Sequence, residues 1–201
     1  MERCDDYKGG LTREQFLFYE IRVVAKLINE GLSRQEATER IIGDNLFQFP
    51  TERMITSIAN TCFNRIEVLN SASLVNELAN ANVEDAKLIN LYSMMRTNKV
   101  VWDFMITVVG EKFRTQDLSF NQSDLNLFMM RLQEQNDDVA SWSDSTIIKI
   151  KQVLRKSLIE AGYLDSIKST NLNPVLANYE LIDGVKANAD YEALSAFNYF
   201  G

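Results

Sequence analysis

The chain has 201 residues, a formal net charge of −7 and a hydrophobic fraction of 46%. This length gives one large domain or two small ones, and the acidic balance argues against indiscriminate nucleic-acid binding while permitting one local basic surface. Histidine is absent, which excludes Ser-His-Asp and Cys-His nucleophile systems and most zinc sites.

The first predicted helix spans residues 11–31 and ends at Gly31, which suits a left-handed cap. Helical spacing places on one apolar face Leu17, Ile21, Val24 and Ile28. The two prolines and eight glycines of the whole chain favour further helices over a fold with many turns. We therefore predict an all-α fold with little or no β structure.

A short helix, a turn and a longer helix are predicted over residues 33–69, the outline of a helix-turn-helix unit. Ser33 and Glu36 form a capping-box pattern at the start of the short helix. The longer helix carries Arg53 and Arg65, which are secondary candidates for contact with DNA. Most helix pairs of this kind serve packing, and packing is the alternative interpretation of this one.

Three more helices are predicted at about residues 72–81, 83–96 and 99–113. The last contains the most apolar segment of the chain, which Asp103 interrupts and which is far shorter than the ~20 residues needed to cross a bilayer. Residues 1–8 are charged and no apolar run follows them, so no signal peptide is predicted. We expect a cytoplasmic protein without a membrane span.

A polar stretch at residues 115–122 is the predicted boundary between an N-terminal helical region, 11–116, and a C-terminal region, 117–201. In the second region, residues 166–173 predict a short extended arm or the first side of a wing, with Lys168 as its cation. The remainder of the chain predicts two short helices around Asp183-Gly184, with a β-hairpin as the alternative. The C-terminal region is thus expected to resemble a helix-turn-helix or winged-helix unit.

Residues 142–165 contain the strongest single pattern of the chain. Ser143 is of the residue type that caps a helix, and Gly162 suits its C-terminal end. One buried stripe is predicted to contain Ile147, Ile150, Leu154, Leu158 and Ala161. Between Thr146 and Lys156 there are four basic residues and no acid, in a chain that is acidic overall.

Two interpretations of this basic helix remain open. It is either an amphipathic helix with a solvated basic face or a recognition helix that contacts nucleic acid. In the second case the candidate contacts are Ser145, Thr146, Lys149, Gln152, Arg155 and Lys156, with Lys168 on the adjoining arm. Cations and free helix N-terminal amides would meet phosphates, and the Gln152 amide could pair with adenine.

The sequence contains no pattern for catalysis or for a cofactor. Two isolated cysteines cannot form a thiolate metal cage, and no glycine-rich phosphate loop occurs. The paired acids Glu84-Asp85 and Asp137-Asp138 lie at a helix start or in a polar turn, where capping or solvated carboxylates are normal. We therefore expect a non-enzyme with no cofactor and no metal.

Several local patterns resemble a known family in their order and spacing. They are Glu30-Gly31-Leu32-Ser33; Asp44-Asn45-Leu46-Phe47-Gln48 before a helix with Asn64-Arg65; Phe104 followed by Glu111-Lys112; and Trp142-Ser143-Asp144-Ser145-Thr146 leading to Leu158-Ile159-Glu160-Ala161-Gly162-Tyr163-Leu164. Together they cover most of residues 11–165. In these features the chain resembles the BrxA family, the small accessory proteins of the bacterial BREX phage-exclusion systems.

The resemblance implies an all-α, DNA-binding accessory protein that acts in phage defence and has helix-turn-helix-like parts. It implies partners that include a DNA methyltransferase, an ATPase and a phosphatase-like component. A fold similarity suggested between the family and a helical RNA-binding antitermination factor keeps RNA as an alternative to duplex DNA. The family has no agreed catalytic motif to carry over. The remaining alternative is an assembly subunit that contacts only proteins.

Overall fold

The computed structural model describes residues 3–7, 9–13 and 15–201. Over these residues the fold is all-α, as predicted, and contains a single isolated antiparallel β-bridge, between Ser119 and Asn171. Within the same residues, no helix combines the length and the apolarity that crossing a bilayer requires.

The first half of the fold is a set of five helices. They are α1 (Phe18–Asn29), α2 (Arg34–Gly43), α3 (Glu52–Glu67), α4 (Ala72–Asn80) and α5 (Val83–Thr97). The start of α2 has the predicted capping box, in which the Ser33 side chain accepts from the Glu36 amide and the Glu36 carboxylate accepts from the Ser33 amide.

The second half begins with one continuous helical run and ends in short elements. The run consists of α6 (Lys99–Phe104), a π-helical segment (Met105–Gly110) and α7 (Glu111–Thr115). It is followed by α8 (Gln122–Gln135), α9 (Asp137–Ala140), α10 (Asp144–Glu160), α11 (Tyr179–Ala187) and a 3₁₀ segment (Tyr191–Phe197). The tail thus contains α11 and the 3₁₀ segment rather than a hairpin, but the break between helices expected at Asp183-Gly184 is absent, because α11 runs through both residues.

The first predicted helix was too long at its N-terminus. Helix α1 begins at Phe18, and Gly9–Arg13 form a separate 3₁₀ turn. Between them Leu17 has a φ of 52°, in the left-handed region that ends helical continuity. Position 14, which the prediction also covered, lies outside the described residues.

Two buried polar side chains hold the segment before α1 and explain why it is not helical. The Arg65 guanidinium donates to the Phe16 carbonyl at 3.0 Å and to the Gln15 carbonyl at 2.9 Å. The Asn90 amide also donates to the Phe16 carbonyl, at 2.7 Å. Carbonyls engaged in this way are satisfied by distant side chains instead of helical amides, so tertiary contacts decide the local conformation.

One hydrophobic core extends through the molecule, from Leu11 to Phe197. It contains side chains from both sides of the polar stretch at residues 115–122, and the division of the chain there stays a prediction. The tail is part of this core: α11 lies so close to α4 that a Cβ at Gly184 would be 2.4 Å from Leu74 Cδ1. The tail thus packs against the first half of the chain.

Candidate nucleic-acid interface

Helix α10 begins at a network of hydroxyl groups. Ser143 is its N-cap, and the Ser143 Oγ accepts from the Thr146 amide at 3.3 Å. The same Oγ lies 3.0 Å from the hydroxyls of Ser145 and of Thr146. The two hydroxyl-bearing candidate contacts therefore sit together at the helix N-terminus, with Ser145 exposed and Thr146 half-buried.

The opposite side of α10 is anchored in the core. The predicted stripe is buried throughout and consists of Ile147, Ile150, Leu154, Leu158 and Ala161. Gly162 follows with a φ of 85°, which allows the chain to turn away, and Tyr163 then stacks on Phe113 at a centroid distance of 6.0 Å. Burial raises the pKa of the Tyr163 phenol, so its hydroxyl stays neutral and donates to the Ala196 carbonyl at 2.9 Å.

The polar side of α10 faces outward as predicted. Lys149, Gln152 and Lys156 are exposed. Arg155 is half-buried at the edge, where its Nη2 donates to the Ser169 carbonyl at 2.8 Å and its Cζ lies 5.7 Å from the centroid of the Phe120 ring. Arg155 therefore links the helix to the segment that follows it and offers only part of its guanidinium to a ligand.

The cations of α10 are paired mainly with neutral oxygens. Lys151 Nζ donates to the Asn126 side-chain oxygen at 2.9 Å, and Lys156 Nζ donates to the Gln15 side-chain oxygen at 3.4 Å. In the described part of the chain, the one carboxylate recorded beside these cations is Glu160, 3.9 Å from Lys156 Nζ. An exposed ion pair of this length is weak and screened, so it leaves the positive charge of Lys156 largely in place. We call Lys149, Lys151, Arg155 and Lys156 the basic face of α10.

A groove beside α10 is lined by three of these four cations, without Lys149, and we call it the α10 groove. Its volume is about 770 Å³, and it lies between α10, the start of α8 and residues 166–170. Its walls include three cations, Lys151, Arg155 and Lys156, and three isoleucines, Ile148, Ile159 and Ile167. The groove therefore offers positive charge and apolar surface together.

The predicted arm forms the far wall of the α10 groove. The Ser169 amide donates to the Ser166 carbonyl at 3.1 Å, which closes a four-residue turn with Lys168 exposed at its corner. Beyond this turn, residues 170–172 pair with residues 118–120 through two backbone hydrogen bonds of 2.7 Å. This pairing, which joins the stretches before α8 and after α10, was not foreseen from the sequence.

The two arginines of α3 lie in different environments. Arg53 is exposed in the first turn of the helix, as predicted. The Arg65 side chain is buried, with 1% of its surface exposed, and it holds the Gln15 and Phe16 carbonyls. The prediction that Arg65 contacts DNA was therefore wrong, because a guanidinium buried against backbone carbonyls cannot reach a phosphate.

The polar surface of the α2–α3 pair is satisfied within the fold. Arg34 Nη1 forms an ion pair of 2.7 Å with Glu67, and its Nη2 donates to the side chains of Asn60 and Asn64 at 3.0 and 3.2 Å. Arg40 lies 3.1 Å from Glu30. Both arginines of α2 thus have a carboxylate partner at short distance, in ion pairs that are themselves exposed.

The described residues offer little for metal or thiol chemistry. Among them, no group of three or more His, Cys, Asp or Glu side chains could hold a metal ion. Burial raises the pKa of the Cys62 thiol to about 12, so this sulfur is a protonated core side chain near neutral pH. Cys4 is half-buried, and both thiols are free.

Comparisons with known proteins identify a family. Residues 5–189 match the model of the BrxA family. The chain is 34% identical to "BREX protein BrxA" of Bacillus cereus (strain H3081.97) over 92% of both chains. It is 28% identical to the protein of the same name from Escherichia coli O9:H4 (strain HS), over 83% of this chain and 78% of that protein.

A solved structure has the same fold. The crystal structure of an uncharacterized protein from Magnetospirillum magneticum superimposes with a TM-score of 0.78 and covers 95% of this chain and 97% of that one. The two sequences are 20% identical, so the likeness concerns the fold alone.

Proposed function

Because this chain belongs to the BrxA family, and with it to the BREX phage-defence system, we propose that it is a non-catalytic accessory subunit that binds duplex DNA. The binding surface is the basic face of α10 together with the arm that adjoins it. The protein acts in the cytoplasm beside other BREX components, which include a methyltransferase, an ATPase and a phosphatase-like subunit.

One observation carries the proposal. In a chain with a net charge of −7, Lys149 and Lys156 of the basic face are exposed, Lys151 and Arg155 are half-buried beside them, and the partners of these cations are mainly neutral oxygens. Solvation alone does not require four cations without an acid along eight residues of an acidic protein. A polyanion supplies the missing negative charge, and the release of its counterions drives binding.

The proposed contacts fall into two kinds. Phosphates are met by the exposed cations and by the hydroxyls at the start of α10, which position the protein on the duplex. Gln152, exposed in the middle of the helix, is the candidate for reading an adenine edge in the major groove. The full set is Ser145, Thr146, Lys149, Gln152, Arg155, Lys156 and Lys168, with Arg53 as a secondary contact.

The helices that precede α10 complete the proposed unit. Short α9 and a three-residue turn precede α10, and α8 packs against both, which is the outline of a helix-turn-helix. The arm after α10 occupies the place of a wing. We assign the main DNA-binding surface to this C-terminal region, residues 117–201, and a packing role to the pair at residues 33–69 apart from the exposed Arg53, which stays a secondary contact.

The test is an electrophoretic mobility shift with plain duplex DNA at low salt. The double variant Lys149→Glu/Lys156→Glu, with native helicity verified by circular dichroism, is expected to lose the shift. A matched control is Lys26→Glu/Arg131→Glu, which changes net charge equally at two exposed cations outside α10 and its arm. Equal binding by the two double variants would contradict the proposal.

Two other functions are outcomes of the same test. Preference for an RNA hairpin over the duplex in competition would make the basic face an RNA-binding surface. Absence of any shift, combined with co-purification of other BREX components, would make the protein an assembly subunit whose basic face meets an acidic protein surface.

A further inference from the structure

The corner of the arm carries an apolar side chain where a polar one is usual. In the four-residue turn at residues 166–169, the two central positions are Ile167 and Lys168. Such corners normally hold Gly, Pro, Asn, Asp or Ser, because those residues suit the turn conformation and water. The Ile167 side chain is 72% exposed. Its apolar surface is presented to solvent beside a cation.

The turn is held in place from both of its ends. Its last residue, Ser169, accepts from Arg155 of α10 at 2.8 Å through its carbonyl. On the N-terminal side, the Asn173 side chain donates to Asp165 at 2.8 Å, which closes the base of the arm. Because ordered backbone costs no further conformational entropy on binding, Ile167 is presented in advance.

Ile167 also adds apolar surface to the lining of the α10 groove, and electrostatic attraction between cations and phosphates does not require such surface. Ile167 lines the α10 groove together with Ile148, which is 50% exposed, and with the cations Lys151 and Lys156. Phosphates need the cations but gain nothing from isoleucines. Base pairs have apolar faces, and these become accessible where a duplex is kinked.

We propose that Ile167 is a wedge that inserts between adjacent base pairs of the bound duplex from the minor groove, while Lys168 contacts the flanking phosphate. The inference rests on the proposed DNA binding and adds to it a deformation of the DNA. Apolar side chains such as isoleucine insert at base steps in proteins that bend DNA, where they unstack one step and kink the duplex by roughly 20–90°. The same contact favours flexible pyrimidine–purine steps, which are the easiest to unstack.

The experiment measures the bend directly. A short duplex with a donor and an acceptor dye at its two ends is titrated with the full chain, and energy transfer at saturation reports the end-to-end distance. The wild type is expected to shorten this distance, whereas Ile167→Ala binds and leaves the duplex straight. Ile167→Phe, which keeps an apolar wedge, is expected to restore the bend.

A matched control and a second readout separate the wedge from general binding. Leu176 is another exposed apolar residue, at 86%, and it does not line the α10 groove, so Leu176→Ala should bend DNA like the wild type. The dependence of the binding constant on salt should be the same for Ile167→Ala and the wild type, because no phosphate contact is removed.

The possible failures are distinguishable. If the wild type binds duplex DNA but Ile167→Ala bends it equally, or if the bound duplex is straight, the wedge is refuted and the proposed function stands. If the wild type does not bind duplex DNA at all, both are refuted.

Discussion

Two helix pairs of the molecule have the same arrangement but differ in the partners of their basic side chains. The α2–α3 pair and the α9–α10 pair each consist of a shorter helix, a turn and a longer helix. In the first pair, Arg34 and Arg40 form ion pairs with local carboxylates, and Arg65 is buried against the backbone. In the second pair, the cations of α10 point outward and contact mainly neutral oxygens.

The difference shows that the outline of a helix pair does not indicate its role. We propose that the partner of each cation is the better guide, because a cation that already contacts a carboxylate must give up that contact before it can meet a phosphate. We therefore interpret α2–α3 as a packing unit and α9–α10 as a binding unit. Variants of the two pairs test this difference.

The largest expected difference is in thiol reactivity between α3 and α10. In a Cys4→Ser background, Cys62 of α3 is compared with a cysteine introduced by Lys149→Cys on α10. Because burial raises the pKa of Cys62 to about 12 and blocks access, we expect its alkylation at pH 8 to be at least about a thousandfold slower, measured by mass spectrometry. Similar rates would show that α3 is not held against the core.

The raised pKa of Cys62 also fixes the direction of a pH effect. The folded state holds this proton more tightly than the unfolded state, whose thiol has an ordinary value of 9.0. The free energy of unfolding should therefore be unaffected by this group below about pH 9 and fall as the pH rises from there toward 12. Urea denaturation at a series of alkaline pH values measures this dependence of the free energy of unfolding on pH.

Arg65→Met should produce the next largest effect, on stability. It removes the hydrogen bond to the Gln15 carbonyl and one of the two that the buried Phe16 carbonyl accepts, so we expect a loss of about 2–4 kcal/mol in the free energy of unfolding. Arg53→Met on the exposed side of the same helix should change it by less than about 0.5 kcal/mol. A stable Arg65→Met variant that had lost DNA affinity would reverse the assignment of the two helix pairs.

Neutralising the basic face should weaken DNA binding without affecting stability. For Lys149→Gln/Lys156→Gln we expect the slope of log K against log salt to become shallower by about two, since each phosphate contact contributes about 0.9. The control Arg34→Gln/Arg40→Gln removes the same charge from α2 and should leave the slope unchanged. Equal slopes for the two double variants, measured by fluorescence anisotropy, would remove the contrast between the pairs.

The smallest expected effects concern the helix caps. Ser33→Ala at α2 and Ser143→Ala at α10 each remove an N-cap hydrogen bond and should cost about 1 kcal/mol of stability. Only Ser143→Ala should also reduce DNA affinity, by a few-fold, because it disturbs the hydroxyl network at the start of α10. A reduction of DNA affinity by Ser33→Ala would instead implicate the α2–α3 pair.

Local signals allowed most of the helices to be predicted. The capping box of Ser33 and Glu36, the cap at Ser143 and the left-handed Gly162 are each decided within one turn of chain. These helix ends can therefore be predicted from neighbouring residues in the sequence. The buried stripe of α10 followed from helical spacing for the same reason.

Long-range contacts account for what the sequence did not reveal. Arg65 lies three residues after Cys62 and one before Ile66, both buried, so its spacing already placed it toward the core. Its partners are 49 and 50 residues away, and no local pattern indicates them. The α10 groove likewise depends on pairing between residues 118–120 and 170–172, which are separated by three helices.

That pairing constrains how the arm can vary among related sequences. Two backbone hydrogen bonds set the register of residues 170–172, and a shift of one residue in such a pairing turns each side chain to the other face. Replacing Ile167 would change the chemistry at the tip, but inserting or deleting a residue between Asp165 and Thr170 would change the direction in which the tip points. Homologues with the same mode of binding should therefore differ here by substitution and keep the length of this loop constant.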